Sequence, residues 1–283
     1  MTSKAPLRIG FVPEHFSTPL HFAITHYHLH CTLIPFPSGT GHMITSLQSN
    51  DLDIGIGLTE GWIAGLGKAQ AEKKKDAGYK LVGTYVETPL CWAISTGAQR
   101  QDLRDASQLH GKKIGVSRIG SSGSYVMAFV LADTHGWLEA RSDSTSPPTA
   151  PFEIMPLQTF EKLREAVNSE EADFFMWERF TSKRYFDNGS IKRIGEIYTP
   201  WPSWHIVARP ELVGGEELEE FFGKVNQGVG YFEGHREEAV EYISRELDYS
   251  AEDAREWLGT VRFAGDVKGV SEQVVGETVK VLE

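Results

Sequence analysis

The chain has 283 residues, of which 40% are hydrophobic and 24% charged, and a formal net charge of −11. This is the composition of a globular protein that is long enough for one large domain or two medium ones. Because an acidic surface repels phosphate backbones and anionic lipids, we expect no nucleic acid and no membrane surface as partner. A small anion is still a reasonable ligand, since backbone dipoles can outweigh net charge locally.

The beginning of the chain shows no sign of a signal peptide, because residues 1–13 contain no apolar core and no small-residue cleavage site. No stretch approaches about 18 consecutive apolar residues, so we expect no membrane insertion. Cys31 and Cys91 lack CxxC spacing and indicate neither a disulfide framework nor a zinc site. Together these features predict a cytoplasmic protein.

Strand and helix patterns alternate over the first part of the chain. Short apolar and β-branched runs that end at Pro, Gly or Ser predict strands, and apolar residues at helical spacing predict helices. The predicted strands are 7–12, 31–36, 53–58 and 80–86, and the predicted helices are 18–30, 41–49 and 61–71. This alternation predicts a parallel sheet with right-handed crossovers.

The dipeptide Thr88-Pro89 interrupts an extended run that resumes at 90–95, and we interpret the break as a crossing into a second lobe. The alternation then restarts, and the segment 141–151, rich in Ser, Thr and Pro, is predicted to be an exposed loop. Further strands are predicted at 113–116, 152–157, 173–177, 191–198 and 205–208, and further helices at 124–134, 159–168, 216–232, 235–246 and 251–258.

The sequence thus predicts a two-lobed α/β protein in which each lobe is a mainly parallel sheet flanked by helices. Lobe one comprises 1–88 plus 202–283, with the C-terminal helices, and lobe two comprises 89–201. Two crossing strands form the expected hinge. In each lobe an Asp-led strand, beginning at Asp53 or Asp173, ends beside an acid.

Two matching loops are the first candidates for a ligand site. Ser38-Gly39-Thr40-Gly41 and Ser121-Ser122-Gly123-Ser124 each follow a strand and precede a helix. Ligands of open α/β sheets bind outside the carboxyl ends of the strands, where hydroxyls and free helix N–H groups suit an anionic group. The alternative is that the Ser and Thr side chains only cap their helices.

Acids and aromatic residues near the same strand ends are further candidates. The predicted ligand-binding residues are Glu14, Ser38, Gly39, Thr40, Thr59, Glu60, Ser121, Ser122, Ser124, Trp177, Glu178 and Trp201. Acids with aromatic rings would accept an amine, a heteroaromatic ring or a zwitterion. Alternatively, Glu60 and Glu178 stabilise helix starts, and Trp201 and Trp204 pack the lobes.

Sequence motifs for catalysis and for cofactors are missing. There is no GxxxxGK[ST] and no GxSxG, and Gly55 to Gly61 misses GxGxxG by one residue. His26 and His30 have the i, i+4 spacing of metal ligands, but no acid lies among the neighbouring histidines. We therefore assign no catalytic residue, no metal and no cofactor.

Three segments together resemble the type II periplasmic-binding-protein superfamily, in the branch that includes nitrate-, sulfonate-, taurine- and thiamin-pyrimidine-precursor-binding proteins. They are Phe36-Pro37-Ser38-Gly39-Thr40-Gly41, Asp53-Ile54-Gly55-Ile56-Gly57 and Leu109-His110-Gly111-Lys112-Lys113-Ile114-Gly115-Val116. The resemblance covers about residues 7–210 and implies two lobes that close on a ligand at a hinge. Without a leader, the chain is similar to an intracellular stand-alone member rather than a transporter's receptor.

The resemblance also includes an enzyme, the fungal thiamin pyrimidine synthase, which uses a lysine to hold pyridoxal phosphate and a histidine as a reactant. This chain has Gly57 and Gly61 at the matching positions and lacks the family's CCCFC motif. The leading expectation is therefore binding of a small polar or anionic metabolite, sulfonate-, carboxylate- or pyrimidine-like, without catalysis. The alternatives are an enzyme of thiamin-pyrimidine or related heterocycle metabolism, and a sensor whose closure signals to an unknown protein partner.

Overall fold

The computed structural model describes residues 5–120, 122–138 and 151–282, with side chains up to 280. Ser121 and residues 141–150 of the predicted exposed loop lie outside the described residues. Pro151, the one described residue of that loop, is buried. The chain forms two compact units: unit 1 contains the described residues up to Pro89 together with Pro200–Val281, and unit 2 contains those of Leu90–Thr199.

Within the described residues, ten strands form one five-stranded sheet in each unit. The strands are β1 (Leu7–Phe11), β2 (Cys31–Pro35), β3 (Ile54–Leu58), β4 (Lys80–Val86), β5 (Cys91–Gly97), β6 (Lys113–Val116), β7 (Glu153–Pro156), β8 (Phe174–Glu178), β9 (Ile191–Tyr198) and β10 (Trp204–Ala208). Unit 1 has the order β2-β1-β3-β10-β4, and unit 2 has the order β7-β6-β8-β5-β9.

Each sheet is mainly parallel, as predicted, with one strand running in the opposite direction. In unit 1, β1 pairs parallel with β2 and β3, whereas β10 is antiparallel to β3 and β4. In unit 2, β6 pairs parallel with β7 and β8, whereas β5 is antiparallel to β8 and β9. The reversed strand in each sheet is the first one that the chain forms after passing from the other unit.

The part of the chain that the structure describes contains ten α-helices. They are α1 (Thr18–Tyr27), α2 (Thr40–Gln48), α3 (Thr59–Ala71), α4 (Gly123–Thr134), α5 (Phe160–Asn168), α6 (Arg179–Asp187), α7 (Glu216–Gly234), α8 (Arg236–Glu246), α9 (Ala251–Leu258) and α10 (Glu272–Leu282). In unit 1, α1 packs against α7, and α8 packs against α9.

The helix predictions are wrong at three places. The predicted helix 18–30 ends at Tyr27, because His28 adopts a left-handed conformation with φ of 56° that ends the helix. Helix α6 was not predicted, because its sequence RFTSKRYFD is polar and buries only Phe180 and Ser182. Helix α10 was not predicted either.

In both units an aspartate ties two neighbouring parallel strands together at their amino ends, β1 to β3 in unit 1 and β6 to β8 in unit 2. Asp53 donates its backbone N–H to the Arg8 carbonyl oxygen (2.9 Å), and its Oδ2 accepts the backbone N–H of Arg8 (2.8 Å). Asp173 forms the same pair of bonds with Lys113, each of 2.8 Å. These are the aspartates at which the Asp-led strands were predicted to begin.

An arginine completes each anchor. The Arg8 guanidinium bonds both carboxylate oxygens of Asp53, at 2.9 and 2.7 Å. In unit 2, Arg100 bonds Asp173 at 2.9 Å and also holds the exposed Asp102. Burial raises the pKa of Asp53, but the bonds and charge of Arg8 outweigh this effect and lower it overall. The carboxylate is therefore charged at neutral pH.

We expect Asp173→Asn to lower the free energy of unfolding by about 2 kcal/mol, because a charge-assisted bond to a mostly covered carboxylate is lost. Asp102→Asn is the matched control: Asp102 bonds the same arginine, but its side chain is 59% exposed against 24% for Asp173. Its loss should cost clearly less, because water screens an exposed ion pair. Urea denaturation measures both, and equal losses would contradict the anchor role.

Candidate functional site

The described candidate residues lie at the carboxyl ends of β1, β2 and β3 in unit 1, and of β6 and β8 in unit 2. Because β10 runs antiparallel to β3, its first residue, Trp204, lies beside Leu58, the last residue of β3. The chain from Trp201 to Trp204 therefore reaches the same edge of the unit 1 sheet. This edge is where ligands bind in open α/β sheets.

The loop after β2 presents Ser38 and Gly39, both partly exposed. Ser38 Oγ lies 3.1 Å from His42 Nδ1 in the first turn of α2. Gly39 precedes α2 with φ of 78° and ψ of −166°, a conformation that residues other than glycine rarely adopt. No heavy atom lies within 4 Å of the position that a Cβ would take. The first N–H groups of α2 have no partner carbonyl within the helix. The loop thus offers a hydroxyl and helix N–H donors.

Thr40, by contrast, is buried and its hydroxyl has an internal role. Its Oγ1 accepts the backbone N–H of Leu58 at 2.9 Å, which joins the start of α2 to the end of β3. A Cβ at Gly57 would lie 2.8 Å from this oxygen and 2.9 Å from the Trp62 ring. A lysine at position 57 does not fit this packing without displacing both side chains.

The first turn of α3 holds the segment that leads into β10. The Thr59 N–H donates to the Ser203 carbonyl oxygen (3.1 Å), and the Thr59 hydroxyl donates to the Pro202 carbonyl oxygen. Since that hydroxyl has only one proton to donate, its oxygen accepts a hydrogen bond from the N–H at His205 Nδ1, 2.7 Å away. Burial lowers the pKa of His205 to about 4, so the imidazole is neutral. The N–H and the hydroxyl of Thr59 are thus both hydrogen-bonded within the protein.

Glu60 and Trp201, both predicted site residues, bond to each other although 141 positions separate them. Trp201 Nε1 donates to Glu60 Oε2 at 3.0 Å. Glu60 has no exposed surface, and its Oε1 is buried without a hydrogen-bond partner among the described residues. Burial raises the pKa of Glu60 to about 7, while its own backbone N–H and Trp201 act in the opposite direction. The carboxyl is therefore close to half protonated at neutral pH.

Glu14 is buried at the turn after β1. Its carbonyl oxygen accepts the N–H (2.8 Å) and the hydroxyl (2.7 Å) of Ser17, which shapes the turn before α1. The following His15 is enclosed by Phe16, Tyr249 and Trp257, with ring centroids 4.3 to 4.6 Å away. Burial lowers the pKa of His15 well below its usual range. This turn is part of the packed core of unit 1.

In unit 2 the described serines of the second loop are bonded within the protein. Ser122 Oγ accepts the Tyr125 N–H at 3.3 Å and donates to the Arg118 carbonyl oxygen. Ser124 Oγ accepts the Ser117 N–H at 3.0 Å. Both side chains are buried, and the capping alternative describes Ser122, whereas Ser124 joins the first turn of α4 to the end of β6. The loop can still offer the first backbone N–H groups of α4.

Trp177 and Glu178 also have contacts within unit 2. The Trp177 ring stacks on Phe160 at 5.1 Å and packs against the core cluster of α5. Glu178 caps α6, because its Oε2 accepts the N–H of Thr181 at 2.6 Å and its hydroxyl at 3.0 Å. Glu178 therefore stabilises the start of a helix, which was the alternative to its predicted role in ligand binding.

His205 was not among the predicted site residues. Its ring joins Thr59 to Thr84 at the edge of the sheet. The signal was a histidine within an otherwise apolar strand, which requires a hydrogen-bond partner when buried. Trp204 packs on Phe16, with ring centroids 5.1 Å apart, beside a cavity of about 10 Å³. The packing alternative thus describes Trp204.

A larger groove of about 830 Å³ is lined by α1, α8 and α9 and contains none of the predicted site residues. Its charged side chains are paired with one another: Arg255 bonds Glu237 at 2.8 Å, and His26 lies 3.2 Å from Glu238. Across the described parts of the chain, no group of His, Cys, Asp or Glu could hold a metal ion. None of the helices described is long and apolar enough to span a membrane.

The raised pKa of Glu60 predicts a pH-dependent stability. The folded chain keeps a proton that the unfolded chain releases near its ordinary pKa, so this stabilisation is complete at low pH and is lost as pH rises through about 7. Relative to Glu60→Gln, the free energy of unfolding of the wild type should fall by about 3 kcal/mol between about pH 4 and about pH 8. Glu87→Gln, which removes an exposed surface carboxylate, should follow the wild type in urea denaturation. A constant difference between wild type and Glu60→Gln would refute the assignment.

Comparisons with known proteins identify relatives of this arrangement. A family model described as Ca3427-like PBP, for periplasmic binding protein, matches residues 92–197. The structure of the CA3427 gene product of Candida albicans, described as defining a new family with the generic periplasmic-binding-protein fold, is 42% identical, with a TM-score of 0.85. The alignment covers 98% of this chain and 89% of that chain. A search of curated protein sequences found no match.

Two more distant structures share the fold. The alkanesulfonate-binding protein SsuA of Xanthomonas axonopodis pv. citri, bound to MOPS, is 18% identical with a TM-score of 0.74, over 98% of this chain and 91% of that one. PhnD1 of Prochlorococcus marinus, in complex with methylphosphonate, is 12% identical with a TM-score of 0.58, over 98% and 97%. The two units therefore form the two-lobed α/β type II fold, and the chain belongs to the Ca3427-like family of periplasmic-binding-protein-fold proteins.

Proposed function

We propose that the chain reversibly binds a small polar or anionic metabolite, with a sulfonate-, carboxylate- or pyrimidine-like group, and that the two units close over it without catalysis. The observation that carries the proposal is the loop after β2, in which Ser38 and Gly39 stay accessible at the start of α2. A hydroxyl and unbonded helix N–H groups at one point form a site for an oxyanion.

The distant relatives support the same ligand chemistry. SsuA is bound to MOPS, and PhnD1 is in complex with methylphosphonate. Sulfonate and phosphonate groups both present several acceptor oxygens to donors, which is the chemistry that a helix N-terminus offers.

Several of the hydroxyls that were predicted to bind the ligand are bonded within the protein, so backbone N–H groups are the better candidates. Thr40, Ser122 and Ser124 use their hydroxyls inside the protein. We therefore propose that the ligand's oxygens accept bonds from Ser38 and from the first N–H groups of α2 and α4. Such groups are fixed before the ligand arrives, which lowers the entropy lost on binding.

A thermal-shift screen of sulfonates, carboxylates, phosphonates and pyrimidines tests the proposal. We expect one class to raise Tm, because a ligand that binds only the folded state adds about 2.7 kcal/mol at a hundred times Kd. Ser38→Ala should weaken that ligand about tenfold through the loss of one bond to a charged group. Ser49→Ala, an exposed serine at the other end of α2, should bind normally. If no class stabilises the chain, the proposed function is wrong.

Gly39→Ala tests the loop's backbone. The observed φ of 78° and ψ of −166° suit glycine, so alanine should cost about 1–3 kcal/mol or rearrange the loop and abolish the ligand-induced shift in Tm. Gly223→Ala, in the exposed helix interior of α7 with open space around it, should leave binding intact and stabilise by about 0.5–1 kcal/mol. Normal binding by Gly39→Ala would remove the loop from the site.

A further inference from the structure

The two oxygens of the Glu60 carboxyl differ in their hydrogen bonding. Oε2 accepts the Trp201 indole N–H, whereas Oε1 is buried and has no hydrogen-bond partner among the described residues. Buried polar atoms in folded proteins are nearly always bonded, and an exception requires a functional or structural reason. An unmade bond to such an atom costs about 1–3 kcal/mol, and more when the group is charged.

The place of Glu60 in the fold points to a ligand as the missing partner. It is the second residue of α3, immediately after the carboxyl end of β3, at the edge where ligands of α/β sheets bind. The dipole of α3 favours a negative charge there. A donor at Oε1 would therefore favour ionisation of Glu60 against the effect of burial.

We propose that Glu60 Oε1 accepts a hydrogen bond from a protonated nitrogen of the ligand, so that the ligand class is an amino-bearing oxyanion: an aminosulfonate, an amino acid or an aminophosphonate. This inference rests on the proposed function, in which Ser38 and the helix N–H groups take the anionic end. Glu178 differs from Glu60 in that its Oε2 caps α6 through two bonds from Thr181. Since Oε1 is covered, the nitrogen replaces part of its cover when the ligand enters.

Binding of such a ligand has to release a proton. Glu60 is partly protonated near neutral pH and must be ionised to pair with a cation. The titratable groups bonded to the first turns of α3 do not interfere: His205, which bonds Thr59, is neutral, and Tyr79, which donates to the Trp62 carbonyl, has a strongly raised pKa through burial. The affinity should therefore rise between about pH 6 and about pH 8.

Isothermal titration calorimetry with matched ligand pairs tests the inference. The pairs are taurine with isethionate, β-alanine with 3-hydroxypropanoate, and 2-aminoethylphosphonate with 2-hydroxyethylphosphonate, which differ only in amine against hydroxyl. We expect the wild type to prefer the amine of the bound pair at least about tenfold, and Glu60→Gln to lose that preference. Asp253→Asn, which alters another buried first-turn acid of unit 1, should keep it.

A wild-type measurement keeps the test decisive if Glu60→Gln fails to fold. Titrations near pH 7 in buffers of different ionisation enthalpy should show proton release for the amine and none for the hydroxyl partner. Equal binding of amine and hydroxyl, or an amine preference without proton release, overturns the role of Glu60 and leaves the proposed function standing. If no member of any pair binds, this ligand class is overturned, and a negative thermal-shift screen would overturn the proposed function with it.

Discussion

Two hydrogen bonds between an aspartate and the backbone of a neighbouring parallel strand organise each unit. Asp53 with Arg8, and Asp173 with Lys113, close a two-bond ring at the amino ends of two neighbouring parallel strands. This fixes the register of β1 against β3 and of β6 against β8. Once the amino ends are fixed, the strand lengths determine where the opposite ends emerge, and in unit 1 the loops that carry Ser38 and Thr59 emerge at one edge of the sheet.

Much of this architecture could be predicted, because it depends on local patterns in the amino-acid sequence. Short apolar runs that end at Pro or Gly predicted the strands to within one or two residues, and the leading aspartates of β3 and β8 were visible as a repeated feature. The direction of β5 and β10 was not predictable in the same way. Each pairs with strands that are distant in sequence, such as β10 with β3, and pairing over such separations leaves no local signal.

The site was harder to predict, because capping and binding use the same side chains. A serine or threonine at a helix start donates to a ligand or accepts from the helix, and the sequence pattern is the same for both. Here Thr40, Thr59, Ser122 and Ser124 are engaged internally, while Ser38 is accessible. The bond between Trp201 and Glu60 spans 141 positions, and only the return of the chain into unit 1 brings the two together.

The packing at Gly57 has a consequence for how this fold diversifies. Position 57 lies where β3, α2 and α3 meet, against the Thr40 oxygen, the Met43 methyl and the rigid Trp62 ring. A side chain that could form a Schiff base would need new space from at least two of these neighbours before it could serve. A single substitution at 57 would overpack this junction, which typically costs about 1–3 kcal/mol. A lysine able to form a Schiff base at this position would therefore require coordinated changes in β3, α2 and α3.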